Sequence, residues 1–454
     1  MFDVVILGGG SGGYACALRS AELGLKVALI ERDKLGGTCL HRGCIPTKAL
    51  LHAAEVADTA REAEKIGVHA SLNGIDLPKV NEYRDGVVGR LYKGLQGLVK
   101  SRDITYIEGN GRVVAANAVE VNGERIEGRN LVLATGSYSR SLPGLEIGGR
   151  VITSDQALNL DWIPGKVIVL GGGVIGVEFA SVWKSFGADV TIIEALPRLV
   201  PAEDEAVSKT LERSFRKRGI NFSTGVRFAS VAQDEHSVTA TLEDGKTFTA
   251  DLMLVAVGRG ANGAGHGFEE IGVTVDRGWV PTNERLATNV PGVYAVGDLV
   301  PGLQLAHRGF QHGIFLAEEI AGLNPRVIED RAIPKVTYCE PEIASIGYTE
   351  TQAKEKFGAD NVEAYEYNLG GNGKSQILGT AGFIKLVREK NGPVIGLHMI
   401  GARVGEQIGE AQLIFNWEAT PEDIAPLIHA HPTQNEALGE AHLALAGKPL
   451  HAHA

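Results

Sequence analysis

Cysteine is scarce, with four residues in 454, far below the density of a disulfide-stapled secreted domain. Long apolar runs are missing as well: nothing reaches the ~18 residues that a bilayer span requires. Met1 leads directly into a strand pattern instead of a charged segment followed by an apolar one, so no secretory signal is expected. Positive charge is not in excess. Lys plus Arg number 44 against 55 Asp plus Glu, a net −11, which argues against nucleic acid or a membrane surface as the main partner. Cys16 and Cys339 lack neighbours at ligand spacing, so no metal site is expected. What remains is an ordinary soluble globular protein expected in the cytoplasm, α/β by the strand and helix patterns along it, 44% hydrophobic and long enough for about two to four domains.

The other two cysteines stand together in Gly36-Gly37-Thr38-Cys39-Leu40-His41-Arg42-Gly43-Cys44-Ile45-Pro46-Thr47-Lys48. Two thiols this close can cycle through a disulfide and carry electrons. Spacing alone leaves packing and metal binding open beside redox chemistry. In a reducing compartment a disulfide rarely persists as a staple, which favours a pair that is used.

A repeat supplies the context. Phe2 to Leu7 is an apolar run delivering Gly8-Gly9-Gly10-Ser11-Gly12-Gly13 into a helical pattern, then a second apolar run, Val27 to Ile30, ending at Glu31. Gly8 permits a tight turn, Gly10 lets a pyrophosphate approach the backbone, and Gly13 lets the helix pack on the strand. Glycine is 59 of 454 residues, so one such match is expected by chance on the order of once. Here it recurs. Val167 to Leu170 leads into Gly171-Gly172-Gly173-Val174-Ile175-Gly176, and Val190 to Ile193 ends at Glu194. The acid follows the first glycine at the same distance in both copies (31 − 8 = 23 and 194 − 171 = 23), so two dinucleotide sites are expected.

A carboxylate at the strand end binds ribose hydroxyls and repels a 2′-phosphate, so Glu194 favours NAD over NADP; nearby, only Arg198 offers an opposing charge. The first site runs directly into the cysteine pair and is expected to hold a flavin. Two further strand exits, Thr135-Gly136-Ser137 and Gly297-Asp298, fit a flavin site, with Asp298 placed to bind a ribityl chain.

With these residues assembled, the sequence resembles the pyridine nucleotide–disulfide oxidoreductases, and within them the dihydrolipoamide dehydrogenase branch. Val257-Gly258-Arg259, Leu305-Ala306-His307, Glu340-Pro341-Glu342 and His429-Ala430-His431-Pro432-Thr433 with Glu436 extend the resemblance over nearly the whole chain. It implies two Rossmann-like domains, for FAD (1–145) and NAD (146–260), a central domain (261–333) completing the FAD site, and an α+β dimerisation domain (334–454). It also implies oxidation of protein-bound dihydrolipoyl groups by NAD⁺ through the disulfide and FAD. Glutathione- or mercuric-reductase-like activity is the alternative, although mercuric reductase needs a C-terminal cysteine pair that is missing here.

By the same resemblance Cys39 is the interchange thiol and Cys44 lies against the flavin. Lys48 stands near the flavin paired with Glu178, and His431 is the base, held by Glu436 and supplied by the other subunit of a homodimer. Gly37, Thr38, Gly111, Thr135, Gly136, Asp298 and Ala306 join Gly8, Gly10, Gly13, Glu31 and Lys48 around FAD. Gly171, Gly173, Val174, Ile175, Gly176, Glu194 and Gly258 surround NAD. The lipoyl groups are expected on separate subunits of 2-oxo acid dehydrogenase or glycine cleavage complexes, because no lipoyl-domain extension precedes Met1. Several positions depart from the family pattern: His41-Arg42 within the disulfide loop, Ala261, Cys339, and Gln434-Asn435 beside the base.

Overall fold

Phe2–Leu7 forms a strand because Val4, Val5, Ile6 and Leu7 follow one another without a polar break, as a strand buried on both faces requires. The computed structural model describes residues 1–452. Phe2–Leu7 pairs in parallel with Val27–Glu31 and with Glu124–Leu133, in the register Val5 to Ala28 and Val5 to Leu131. Thr105–Glu108 extends the parallel edge on one side, and Val293–Ala295 joins Glu124–Leu133 from far down the chain. Ala118–Val121 and Arg112–Ala115 add antiparallel strands, giving seven among the described residues. Glu124–Leu133, the strand that leads to the exit at Thr135-Gly136-Ser137, is long because its first half forms a hairpin with Ala118–Val121.

The second unit is inserted into the first. Asn221–Ser223, Asp189–Ile193, Lys166–Leu170, Leu252–Val255 and Val151–Ile152 lie in that order in a parallel sheet. A meander of Phe228–Gln233, Val238–Leu242 and Thr247–Ala250 covers one face. The chain departs through Ser137–Ser139 and returns through Arg259–Ala261, and these short strands pair antiparallel. A third sheet, wholly antiparallel, follows in the order Lys335–Thr337, Glu342–Gly347, Val394–Gly401, Phe383–Glu389, Val362–Asn368.

Close helix packing locks the first unit. Helix Ser11–Glu22 meets helix Ala306–Ile320 so tightly that a Cβ on Gly313 would stand 2.4 Å from the Gly12 carbonyl oxygen. Cys16 is sealed in that contact, and burial pushes its thiol up to about 12, which removes it from thiolate chemistry. No helix among the described residues is long and apolar enough to cross a membrane, and no group of three or more His, Cys, Asp and Glu is arranged there to hold a metal ion.

Candidate active site

The segment carrying the cysteine pair is docked on the first glycine loop. Gly36 takes a left-handed turn (φ +103°) and donates its N–H to the Gly9 carbonyl at 2.8 Å, while a Cβ on Gly37 would come within 2.7 Å of Gly10 Cα. The short helix Gly37–Arg42 carries Thr38 and Cys39; Gly43 breaks it, and Cys44 begins helix Cys44–Glu62. Cys39 and Cys44 are joined as a half-buried disulfide, their Cα atoms 4.6 Å apart. The helix start at Gly43 has no side-chain cap and its first turn no acid, so its N–H groups and dipole are free to stabilise a Cys44 thiolate. Pro46 sits in that first turn, where its missing N–H is not needed.

One turn beyond Cys44, Lys48 reaches out of this helix to helix Val174–Phe186. Its Nζ lies 3.0 and 2.9 Å from the two carboxylate oxygens of Glu178, a buried residue. Glu178 also accepts the N–H of Tyr338 at 2.9 Å, and the Tyr338 ring lies 4.8 Å from the ammonium. Tyr338 was not among the residues expected from sequence, because nothing local marks an aromatic residue in a loop as the partner of a lysine 290 positions away (338 − 48).

His431 and Glu436 form a separate pair. His431 Nδ1 is 3.0 Å from Glu436 Oε1, and the Thr433 N–H holds the other carboxylate oxygen at 2.7 Å. Glu436 opens helix Glu436–Leu445, where the helix dipole favours a carboxylate. The His431 side chain is 73% exposed in the single chain. None of the hydrogen bonds of this pair reaches the segment Gly36–Lys48 among the described residues.

The two glycine loops are built alike. Gly8 and Gly171 both sit at φ +112°, and a Cβ on Gly13 or Gly176 would stand 1.8 or 1.9 Å from the Gly8 or Gly171 carbonyl oxygen. Above Gly10 and Gly173 the space is open: an added Cβ would meet only Gly37 Cα at 4.0 Å in the first loop and nothing within 4 Å in the second. The helices that follow, Ser11–Glu22 and Val174–Phe186, have no side-chain cap, leaving backbone donors for phosphate, with Val174 and Ile175 in the second helix's first turn. Glu31 accepts from the N–H groups of Gly9 (2.7 Å) and Asp33 (2.8 Å), and Glu194 from those of Gly172 (2.6 Å) and Leu196 (2.7 Å). Both carboxylates are thereby fixed beside their loops, and both cradles fit a dinucleotide. Arg198 is turned to its own loop, donating to the carbonyls of Pro201 and Glu203, so it is not free to compensate Glu194 for a 2′-phosphate.

The side of the first loop is closed by returning chain. Ser137 donates to Asp298 at 2.6 Å and accepts from Arg259 at 2.8 Å, and Thr135 donates to the Asn262 carbonyl at 2.7 Å. Gly136 (φ +72°) and Gly258 (φ +105°) turn the two crossing segments. Ala306 opens a helix whose N-terminus has no side-chain cap. Gly111 is demanded by packing, since a Cβ there would strike Leu7 and Val119 at 2.6 and 2.9 Å. His312, not expected from sequence, accepts the N–H of Gly297 at 3.3 Å. The departures within the disulfide loop prove to be braces: His41 bonds the Leu35 carbonyl at 2.8 Å and stacks edge-on against Tyr92, while Arg42 pairs with Asp33.

Sequence comparison agrees with this geometry. Residues 2–313 match the model of the pyridine nucleotide-disulphide oxidoreductases, and residues 333–442 match the dimerisation domain of the same family. The chain belongs to the pyridine nucleotide–disulphide oxidoreductases. Members of this family use FAD and NAD(H), in keeping with the two cradles. It is 42% identical to a dihydrolipoyl dehydrogenase of Bacillus subtilis over an alignment covering 99% of each chain. It is 38% identical to the dihydrolipoyl dehydrogenase of Geobacillus stearothermophilus, covering 99% of this chain and 97% of that one. Among solved structures, LpdA of Mycobacterium tuberculosis superposes with a TM-score of 0.91 at 25% identity, over 98% of this chain and 100% of that one.

Proposed function

We propose that this oxidoreductase oxidises protein-bound dihydrolipoyl groups with NAD⁺. The observation that carries it is the Cys39–Cys44 disulfide at an open helix start, docked on the first dinucleotide loop and backed by Lys48 and Glu178. A substrate thiolate attacks Cys39, forming a mixed disulfide and releasing Cys44 as a thiolate under the helix dipole. The second substrate thiol then displaces Cys39, and the lipoyl disulfide leaves. FAD, when bound, supplies two-electron transfer between the resulting dithiol and the nicotinamide.

His431 takes the substrate thiol proton, with Glu436 fixing its ring. Since His431 is exposed and its pair with Glu436 is bonded only to its own loop among the described residues, the shared-site reading gives each disulfide the partner's His431 within a homodimer. Residues 1–145 then serve FAD, 146–260 NAD, 261–333 the closure of the flavin site and 334–454 the dimer. The glycines and acids of each loop, with Thr38, Thr135, Asp298 and Ala306 on the flavin side, are the binding residues in this proposal. Lipoyl-bearing subunits of 2-oxo acid dehydrogenase or glycine cleavage complexes, in the cytoplasm, are the proposed partners.

Steady-state assay of the FAD-loaded enzyme tests it. Turnover should be fastest with dihydrolipoamide and NAD⁺; faster turnover of glutathione disulfide with NADPH would overturn the assignment.

A further inference from the structure

The two dinucleotide loops are closed by different residues. In the first, Gly36 donates to the Gly9 carbonyl from φ +103°; in the second, Val200 donates to the Gly172 carbonyl over the same 2.8 Å from φ +42°. Leu35 and Leu199 correspond too, each lying against the middle glycine, 3.0 and 2.5 Å from where a Cβ would stand. Glycine takes the left-handed turn freely, whereas a buried β-branched residue there is strained and stays only where its surroundings hold it.

What holds Val200 leads to the third sheet. Its carbonyl accepts from the Glu203 N–H at 2.9 Å, and Arg198 donates to the carbonyls of Pro201 (2.9 Å) and Glu203 (3.1 Å). The Glu203 carboxylate is bound by Lys335 at 3.0 Å and by Ser345 at 2.5 Å. The Asp204 carboxylate is bound by Lys385 at 2.8 Å and by the Glu350 N–H at 3.1 Å. Glu203 and Asp204 are 5% and 2% exposed, so neither is satisfied by water if its lysine is removed.

We infer that this buried cluster is a latch by which the C-terminal sheet keeps the second nucleotide loop shut, with Lys335 and Lys385 as positioning residues for NAD. Releasing Glu203 or Asp204 lets Val200 relax to negative φ, which frees the Gly172 carbonyl. The Gly172 N–H that orients Glu194 moves with it. The inference rests on the assignment of the second loop to NAD.

ADP-ribose binding to the FAD-loaded enzyme, followed by calorimetry, separates the two. If the wild-type enzyme fails to bind ADP-ribose, the assignment itself falls, and the latch with it. Given binding, Lys335→Met and Lys385→Met should each weaken it on the order of tenfold. The KM for NAD⁺ should rise in step while the KM for dihydrolipoamide stays put, a split that general loosening would not produce. In a Val200→Gly background the same lysine substitutions should cost less than about threefold, because glycine needs no restraint in that turn. Equal losses in both backgrounds, or unchanged affinity in a folded Lys335→Met enzyme, would overturn the latch.

Discussion

Lys48 and Glu178 meet across 130 residues of sequence, the ammonium within 3.0 Å of both carboxylate oxygens. This joins the disulfide helix to helix Val174–Phe186 of the second dinucleotide unit. Glu178 keeps 4% of its side chain exposed, against 32% for Lys48, so the two partners respond differently to substitution. Lys48→Met strands a buried carboxylate and should destabilise by about 3 kcal/mol, whereas Glu178→Gln keeps a neutral acceptor for both donors and should cost less. Thermal unfolding of the FAD-loaded enzymes ranks them; a worse Glu178→Gln would mean that the ion pair is not what joins the units.

Division of labour between the thiols is open to spectroscopy. Anaerobic reduction of the FAD-loaded enzyme by two electrons should produce the long-wavelength absorption of a thiolate against flavin. Cys44→Ser should abolish it and Cys39→Ser should retain it, because Cys44 opens the long helix Cys44–Glu62 whereas Cys39 lies within the short helix Gly37–Arg42. A band that survives Cys44→Ser would reverse the assignment.

His431 can be tested for action across a dimer. His431→Gln should lower dihydrolipoamide turnover about a hundredfold or more, as loss of a general base does. Chains carrying Cys44→Ser and chains carrying His431→Gln, each inactive alone, should regain activity when co-assembled, since one site of each mixed dimer then keeps both groups. No recovery would mean that the base and disulfide belong to the same chain.

The two loops can be separated by single methyl groups. A Cβ at residue 13 or 176 would overlap a carbonyl oxygen at 1.8 or 1.9 Å. Gly13→Ala should yield a protein that does not retain flavin, while Gly176→Ala should remain yellow and lose ADP-ribose binding. Flavin absorbance and calorimetry check both; loss of flavin from Gly176→Ala would exchange the cofactor assignment.

Two histidines set an acid limit. Burial, with Arg308 nearby, depresses His312 to about 3, and burial depresses His442 to about 4 against its bond to the Leu438 carbonyl. Both are neutral in the fold, and in the unfolded chain both return to an ordinary value near 6.5. The unfolded state therefore binds more protons below pH 6.5, and stability falls as pH drops towards 4, by roughly 2 kcal/mol per histidine at pH 5. Above pH 6.5 neither contributes. Urea unfolding of His312→Asn should show a shallower decline between pH 6.5 and 5 than the wild type; an unchanged slope would remove His312 from the account.

How far the sequence carried each feature follows from the range of the signal. The helix start at Cys44 and the two loops with their acids 23 residues on were legible because turn, helix and strand lie within one local unit. The Lys48–Glu178 pairing came through motif resemblance, since no periodicity links positions 130 apart, and so did His431–Glu436, whose five residues run through a loop into a helix start without a regular repeat. Tyr338 and His312 escaped altogether, being an aromatic residue in a loop and one histidine among 13.

By itself the sequence determined two glycine loops, a thiol pair beside the first, and an acid at the end of the second strand of each unit. These depend on backbone turns and side chains a few residues apart, which local steric and charge rules dictate. Only the tertiary structure decided that Arg198 turns to its own loop, that His41 and Arg42 brace the disulfide loop, and that Val200 is held left-handed through Glu203 and Asp204. Each of those depends on which distant group lies within hydrogen-bond reach once the chain has packed, and only the packing of all the sheets fixes that.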